Sequence, residues 1–158
     1  MEYNIVIDEL RKHPKYLLTV VQWLYDEWGV DNKQYWTSWV EYSLQADDIP
    51  KTYVLFIDGR IAGTYSLWRC DLQSRQDLFP WFGGLYVDKI YRGKSFNGQK
   101  LGIMLQKHAL IELKKMGYKQ VYLFTSKQTS YYSHCGWSYY CHAPDETDKI
   151  VEIYKHNI

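Results

Sequence analysis

Apolar residues along this chain recur with two different periods, one typical of helices and one typical of strands. At helical spacing they run from residue 17 to residue 28, before Gly29, and again from about residue 33 to residue 45. These runs predict two amphipathic helices, and the glycine would end the first of them. A broader apolar stripe over about residues 101–116 predicts a longer helix that ends at Gly117.

Shorter apolar runs between and after these helices predict strands. They cover residues 3–7, 53–57, 61–68, 81–87, 121–124, 137–140 and 150–154. Asp58-Gly59 favours a tight turn between the second and third of them, and residues 128–134 are expected to form a short helix. This order indicates a mixed α/β domain over residues 1–158, with an early hairpin, one strand–helix–strand unit and a late antiparallel pair.

Two adjacent glycines interrupt the strand predicted at residues 81–87. Gly83 and Gly84 would weaken that strand, because they lack side chains and lose much backbone entropy on folding. Such a pair is expected where a β-bulge or a close approach to the backbone requires it. We therefore expect a local distortion of this strand.

The near-neutral charge of the chain narrows the classes of partner. The formal net charge is +1 at pH 7 over 158 residues, so no global field favours nucleic acid or a membrane surface. No apolar run approaches membrane-spanning length, and the N-terminus lacks the pattern of a signal peptide. Three cysteines, Cys70, Cys135 and Cys141, cannot all pair within one chain and are expected to be reduced thiols of a cytoplasmic protein.

The segment after the fourth predicted strand carries the strongest functional signal. Residues 85–102 contain a strand end, a glycine-rich basic loop and the start of a helix. Arg92, Lys94 and Lys100 place positive charge where backbone N–H groups and a helix N-terminus converge, which suits a phosphate. An ordinary strand-to-helix connection with a solvated basic face is the alternative, and this segment alone does not decide between them.

Three segments in this order resemble the GNAT-superfamily N-acetyltransferases, and the resemblance covers most of the chain. The first is the strand–loop–helix unit, with Leu85-x-Val87 and Tyr91-Arg92-Gly93-Lys94. The second is Gly117-Tyr118 before the strand at 121–124, and the third is YYSHCGW at residues 131–137. The resemblance implies a central mixed, largely antiparallel sheet with flanking helices and a splayed strand pair that binds acyl-CoA.

The phosphate loop departs from the family pattern, Gln/Arg-x-x-Gly-x-Gly/Ala. A pattern that starts at Arg92 puts Ser95 and Asn97 where small residues belong, and one that ends at Gly102 puts Lys100 at the first glycine. We interpret the segment as a loop enlarged by about five residues. The residues then implied to bind acetyl-CoA are Leu85, Tyr86, Val87, Arg92, Gly93, Lys94, Gly98, Gln99, Lys100, Leu101 and Gly102.

The resemblance also implies a catalytic residue, Tyr132, near the sulfur of the thioester as general acid. A phenol of unperturbed pKa about 10 is protonated at pH 7 and can donate a proton. A structural role in capping the cofactor site is the alternative for this tyrosine. No residue is assigned as the base; Asp71, Asp77, Asp88, His134 and a water chain all stay open. The histidines and cysteines lack the spacing of metal ligands, so no metal is expected.

The acceptor site is expected to combine aromatic side chains of the first two helices with acidic side chains of the late strand connection. These residues are Trp28, Tyr35, Trp36 and Trp39, and Asp145, Glu146 and Asp148. Carboxylates beside ring faces suit a cationic amine, which would enter from the side of the sheet opposite the basic loop. For most of them, a place in the core or in a solvated loop is the competing interpretation.

The sequence thus predicts an acetyl-CoA-dependent N-acetyltransferase, an acyltransferase that acts on a primary amine of a small molecule by direct transfer in a ternary complex. A protein or peptide N-acetyltransferase is the alternative within the class. A non-catalytic CoA-binding module of the same fold is the alternative outside it. The acceptor and the acyl chain stay open, and a homodimer is the assembly considered.

Overall fold

The computed structural model of the protein describes residues 1–29 and 32–158, and its elements follow the predicted order. Four α-helices are present in these residues: α1 (Leu17–Trp28), α2 (Lys33–Ser43), α3 (Leu101–Lys115) and α4 (Thr129–His134). The strands are β1 (Ile5–Glu9), β2 (Lys51–Ile57), β3 (Arg60–Trp68), β4 (Trp81–Val87), β5 (Ser95–Phe96), β6 (Gln99–Lys100), β7 (Gln120–Thr125), β8 (Ser138–Pro144) and β9 (Ile150–Asn157).

Seven of the strands form one sheet in the order β1-β2-β3-β4-β7-β9-β8. The pairs β1–β2, β7–β9 and β8–β9 are antiparallel. The strands β4 and β7 are parallel, and the helix α3 lies between them in the chain. The turn between β2 and β3 has left-handed φ values at Asp58 (48°) and Gly59 (78°), as a two-residue hairpin turn requires. The predicted mixed, largely antiparallel sheet with flanking helices is therefore confirmed.

The chain divides into two compact units. The first comprises Met1–Ser66 and Gly84–His108, and the second comprises Leu67–Gly83 and Ala109–Ile158. A cluster of buried side chains joins α1, α2 and β2 within the first unit: Leu10, Val20, Val21, Leu24, Val40, Val54 and Phe56. In the second unit the buried side chains include Trp68, Trp81, Leu113, Val121 and Ile153. Burial of each such apolar side chain contributes roughly 1.5–3 kcal/mol.

Some boundaries differ from the prediction because pairing, rather than local pattern, sets them. The first strand begins at Ile5 instead of residue 3, since its register runs from Ile5 opposite Ile57 to Glu9 opposite Tyr53. The last strand extends to Asn157, which lies opposite Gln120 of β7. Pairing with β2 thus sets where β1 begins, and pairing with β7 sets where β9 ends.

Two further sequence expectations can be compared with the structure. All three cysteines, Cys70, Cys135 and Cys141, are free thiols. Among the helices described, none is both long enough and apolar enough to cross a membrane.

Candidate active site

The two glycines of β4 are required for different reasons. A Cβ added at Gly83 would lie 2.6 Å from Asp71 Oδ2 and 2.9 Å from Trp68 Cδ1, so these side chains cover its Cα. Gly84 has a φ of 59°, a left-handed conformation that glycine adopts without steric cost. A close approach at the first glycine and a backbone distortion at the second together explain the pair.

The parallel pairing of β4 with β7 is short. Its register consists of one pair, Trp81 with Tyr122, and the N–H of Tyr122 donates to the carbonyl of Pro80 at 3.0 Å. The strands themselves have 7 and 6 residues. In the register described, the first residue of β4 therefore pairs with β7, and the other residues of β4 do not.

Tyr132 lies in α4, close to the point where the chain reverses. Its carbonyl accepts hydrogen bonds from the N–H groups of Cys135 (2.9 Å) and Trp137 (3.2 Å), and Gly136 between them has a φ of 90°. The ring centroid of Trp137 lies 6.3 Å from that of Tyr132 and 5.7 Å from that of Phe82 in β4. One indole therefore contacts both the tyrosine and the start of β4.

The environment of Tyr132 keeps its hydroxyl protonated. Burial raises the pKa of this phenol well above its usual 10, and the neighbouring Tyr131, Cys135 and Asp71 add to the shift in the same direction. A phenol with so high a pKa stays protonated throughout the physiological range.

Three of the four side chains considered as bases are already engaged. Asp77 forms a bidentate pair with Arg75, at 2.9 Å to Nε and 2.8 Å to Nη2, and this guanidinium lowers the pKa of the carboxyl. Asp88 accepts from the N–H of Ile90 at 3.2 Å and caps a short 3₁₀ turn. The exposed ring of His134 contacts a carbonyl of its own helix at 2.6 Å. Each of these groups thus has a structural role.

Asp71 differs from the other three. Within residues 1–29 and 32–158, its carboxyl has no hydrogen-bond partner, yet it is half-buried against Gly83. Burial, followed by the like charge of Glu146, raises the pKa of Asp71 to about 7. A carboxyl with this pKa exchanges a proton readily at neutral pH.

The loop after β4, which the sequence predicts to be enlarged, contains the short hairpin β5–β6. Ser95 pairs with Lys100 and Phe96 with Gln99, and the helix α3 begins at the next residue. The turn residues Asn97 and Gly98 have φ values of 48° and 78°. Asn-Gly is a strong sequence signal for such a turn, so the hairpin could have been predicted.

The N-terminal segment holds this hairpin in place. The backbone of Tyr3 and the amide of Asn97 exchange two hydrogen bonds, each of 2.9 Å. The ring of Phe96 is buried and lies edge-on to those of Tyr3 and Tyr91, at 5.1 and 5.7 Å. An insertion anchored in this way forms a defined structure.

Arg92 is largely occupied by contacts within the first unit. Its Nε donates to the carbonyl of Val87 at 2.7 Å, and its guanidinium lies 4.8 Å from the ring centroid of Tyr86. A carboxylate oxygen of Glu27 is 3.5 Å from Nη2. By contrast, Lys94 and Lys100 are exposed, and Lys100 Nζ donates to the carbonyl of Gly93 at 3.4 Å.

The sequence matches the model of the Acetyltransferase (GNAT) family over residues 17–137. The protein belongs to this family. By family it is an acyltransferase enzyme, and the predicted membership is confirmed. Among the curated proteins, none matches this chain.

Solved structures share the fold of this GNAT protein at low sequence identity. A GNAT acetyltransferase from Streptococcus pneumoniae has 18% identity and a TM-score of 0.67, covering 98% of this chain and 100% of its own. An aminoglycoside 6′-N-acetyltransferase complexed with coenzyme A has 13% identity and a TM-score of 0.76, with 96% of both chains covered. YncA from Salmonella typhimurium, solved with acetyl-CoA, has 12% identity and a TM-score of 0.68, covering 97% and 93%.

The residues expected to bind acetyl-CoA fall in one continuous part of the GNAT protein. Leu85, Tyr86 and Val87 end β4, the hairpin carries Gly98, Gln99 and Lys100, and α3 begins with Leu101 and Gly102. The side chains of Tyr86 (6% exposed) and Leu101 (2%) are buried. Gly93, with a φ of 75°, opens the loop.

The residues expected at the acceptor site fall into two groups. The aromatic group belongs to α1 and α2 in the first unit, where Tyr35 contacts Trp36 and Trp39 at ring distances of 5.8 and 5.4 Å. The acidic group lies in the second unit. There Asp145 accepts hydrogen bonds from Thr147 and Lys149 and closes a turn, which supports the solvated-loop interpretation for this residue.

Two residues near Asp71 were not distinguished by the sequence. Trp68 is the last residue of β3 and resembles any core tryptophan in the pattern, and Glu146 was one of three acidic residues in a loop. Their proximity to Asp71 depends on how the second unit folds. No local sequence signal reports that proximity.

Proposed function

We propose that this GNAT protein transfers the acetyl group of acetyl-CoA directly to a primary amine of a small molecule. The family assignment supports the reaction class. Fold neighbours that bind coenzyme A or acetyl-CoA support the donor. An aminoglycoside 6′-N-acetyltransferase among those neighbours supports a small cationic acceptor.

The observation that carries the proposal is the unit formed by β4, the basic loop and α3. Exposed Lys94 and Lys100, the left-handed Gly93 and the start of a 15-residue helix lie within one stretch of the first unit. Helix N-termini and ammonium groups are the partners that a pyrophosphate requires. The residues present therefore fit the phosphates of a CoA ester.

The short ladder between β4 and β7 supports binding of the pantetheine arm. An extended ligand can add to a strand edge through backbone hydrogen bonds, and β4 is paired with β7 at its first residue, Trp81, in the register described. The bend at Gly84 is the distortion that such an edge would need. Amide groups of the arm would then pair with backbone groups of β4.

The protein supplies a proton donor for the thiolate that acetyl transfer releases. The Tyr132 hydroxyl stays protonated because burial raises its pKa, and it lies in the second unit beside Trp137. The acceptor amine must be neutral when it attacks the thioester. We therefore expect kcat/KM to rise from pH 6 towards pH 9.

Two measurements test this proposal. Acetyl-CoA at a hundredfold excess over Kd should stabilise the fold by about 2.7 kcal/mol, seen as an increase of several degrees in Tm. Thiol release should then appear with spermidine, kanamycin or lysine as acceptor. The absence of any shift with millimolar acetyl-CoA or CoA would contradict the donor assignment. Turnover with peptides alone would contradict the small-molecule acceptor.

A further inference from the structure

We infer that Asp71 binds the ammonium group of the acceptor and then takes the proton that the amine must lose. This inference rests on the proposed acetyl transfer and assigns its missing base. The site it defines consists of the Asp71 carboxylate, the indole of Trp68 and the backbone of β4 at Gly83, with Glu146 as a second negative charge.

The position of Asp71 is the first argument. Its Oδ2 atom lies 2.6 Å from the point where a Cβ at Gly83 would be, and the Trp68 ring lies 2.9–3.0 Å from that same point. The absence of a side chain at Gly83 therefore lets the carboxylate and the indole reach the backbone of β4. This is the strand on which the proposed thioester binding depends.

The charges around Asp71 are the second argument. The negative charge of Glu146 adds to the rise in the pKa of Asp71. Two other titratable groups, Cys70 and Tyr132, interact electrostatically with Asp71. Burial raises the pKa values of both, so they stay neutral at pH 7. Within the described part of the chain, no hydrogen bond satisfies the Asp71 carboxyl. A half-buried carboxylate in this setting is destabilised, and a bound ammonium group would relieve it.

The engagement of the competing groups is the third argument. Asp77 is neutralised by Arg75, Asp88 caps a turn, and His134 is exposed and bonded to its own helix. Asp71 is thus the one of the four considered side chains that is both half-buried and without such a role. Its pKa of about 7 supports the assignment, because a general base is most effective when its pKa lies near the working pH.

Two proton transfers accompany the transfer of the acetyl group. The acceptor ammonium gives one proton to an Asp71 oxygen, and its nitrogen then forms a bond to the acetyl carbonyl carbon as the carbon–sulfur bond breaks. The departing thiolate takes a proton from the Tyr132 hydroxyl. Asp71 afterwards releases its proton to solvent and Tyr132 regains one, so both residues return to their starting states.

The decisive variant is Asp71→Asn, with Asp77→Asn as the matched control in the same loop. With an acceptor amine at pH 7.5, we expect Asp71→Asn to lose about 10²-fold or more in kcat/KM. It should also lose the step near pH 7 in the pH profile. Acetyl-CoA affinity should not change, and Asp77→Asn should behave as the wild type. An Asp71→Asn enzyme with wild-type rates and pH profile would overturn the inference.

A second acceptor separates proton removal from a loss of structure. Hydroxylamine is already neutral at pH 7 and needs no base to become a nucleophile. With it, the loss caused by Asp71→Asn should shrink to less than about tenfold. An equally large loss with hydroxylamine and with ammonium acceptors would contradict a role in proton transfer.

If the wild type releases no thiol with any amine, a binding measurement tests the inference about Asp71. That result contradicts the proposed function, and Asp71 is then judged by calorimetric titration of the CoA-bound protein with spermidine and kanamycin. Binding at least about tenfold weaker to Asp71→Asn supports the carboxylate as an ammonium site. Equal binding to both proteins, or no binding to either, overturns the inference.

Discussion

The strand β4 connects two regions of opposite character. At its start, around Gly83, the second unit places the half-buried carboxyl of Asp71 and an indole against the backbone. After its end, the first unit carries an exposed basic loop that leads into α3. The basic loop is contiguous in sequence, whereas Trp68, Asp71, Tyr132 and Glu146 come from three separate segments. Binding of a phosphate needs local backbone geometry, but proton transfer needs side chains brought together by the fold.

The largest effect is expected at Tyr132, the proposed proton donor in the second unit. Tyr132→Phe keeps the ring and removes the hydroxyl, so kcat should fall by about 10²–10⁴-fold with little change in acetyl-CoA affinity. Steady-state kinetics and a binding titration measure the two quantities. Tyr131→Phe is the neighbouring control, and we expect it to be mild. An unchanged rate in Tyr132→Phe, with chemistry rate-limiting, would show that another group protonates the thiolate.

The glycines of the two regions should differ in their tolerance of a side chain. Gly83→Ala forces a methyl group to within 2.6 Å of Asp71 Oδ2, so we expect a loss of about 1–3 kcal/mol in the free energy of unfolding and reduced thiol release. At Gly93 nothing lies within 4 Å, and the φ of 75° alone opposes alanine, by about 1 kcal/mol. Denaturant unfolding compares the variants. Equal losses would contradict the close approach at Gly83.

Asp71→Asn should stabilise the protein in a pH-dependent way. The pKa of Asp71 rises from 3.8 to about 7 on folding, so the wild type loses stability as the pH rises from about 4 to about 7. The free energy of unfolding falls by at most about 4 kcal/mol over this range. We expect about half of that, because solvent screens a carboxyl that is only half-buried. The gain from Asn should therefore be absent at pH 3.5 and nearly complete at pH 8. A gain independent of pH would argue against a raised pKa.

The smallest effect is expected in the basic loop. Lys100→Ala should weaken acetyl-CoA binding by roughly 0.5–1 kcal/mol and flatten its salt dependence, because an exposed charge is screened by ions. Lys107→Ala, an exposed lysine farther along α3, is the control. Titrations at two salt concentrations measure both. Wild-type salt dependence in Lys100→Ala would remove this lysine from the proposed phosphate site.

Most of the fold could be predicted because its signals are local. Helical spacing over residues 17–28, the turn at Asp58-Gly59 and the stripe that became α3 each depend on neighbours in sequence. The hairpin β5–β6 had an equally local signal in Asn97-Gly98. The family resemblance predicts an enlarged loop at these residues and no hairpin.

In the candidate site, too, some features have local sequence signals and others depend on the fold. Local patterns predicted the order of strand, basic loop and helix, a distortion at residues 83 and 84, and the tyrosine-containing segment at residues 131–137. It left four side chains as equal candidates for the base, since Asp71, Asp77, Asp88 and His134 differ little in local pattern.

Tertiary structure gives those candidates different environments. Arg75 neutralises Asp77, a turn engages Asp88 and a helix carbonyl engages His134, while folding of the second unit buries Asp71 against Gly83 beside Glu146. Desolvation and charge–charge interactions depend on distances through space, which sequence spacing does not encode once a chain has folded back on itself. For that reason the basic loop could be predicted from the sequence, and the distinct environment of Asp71 could not.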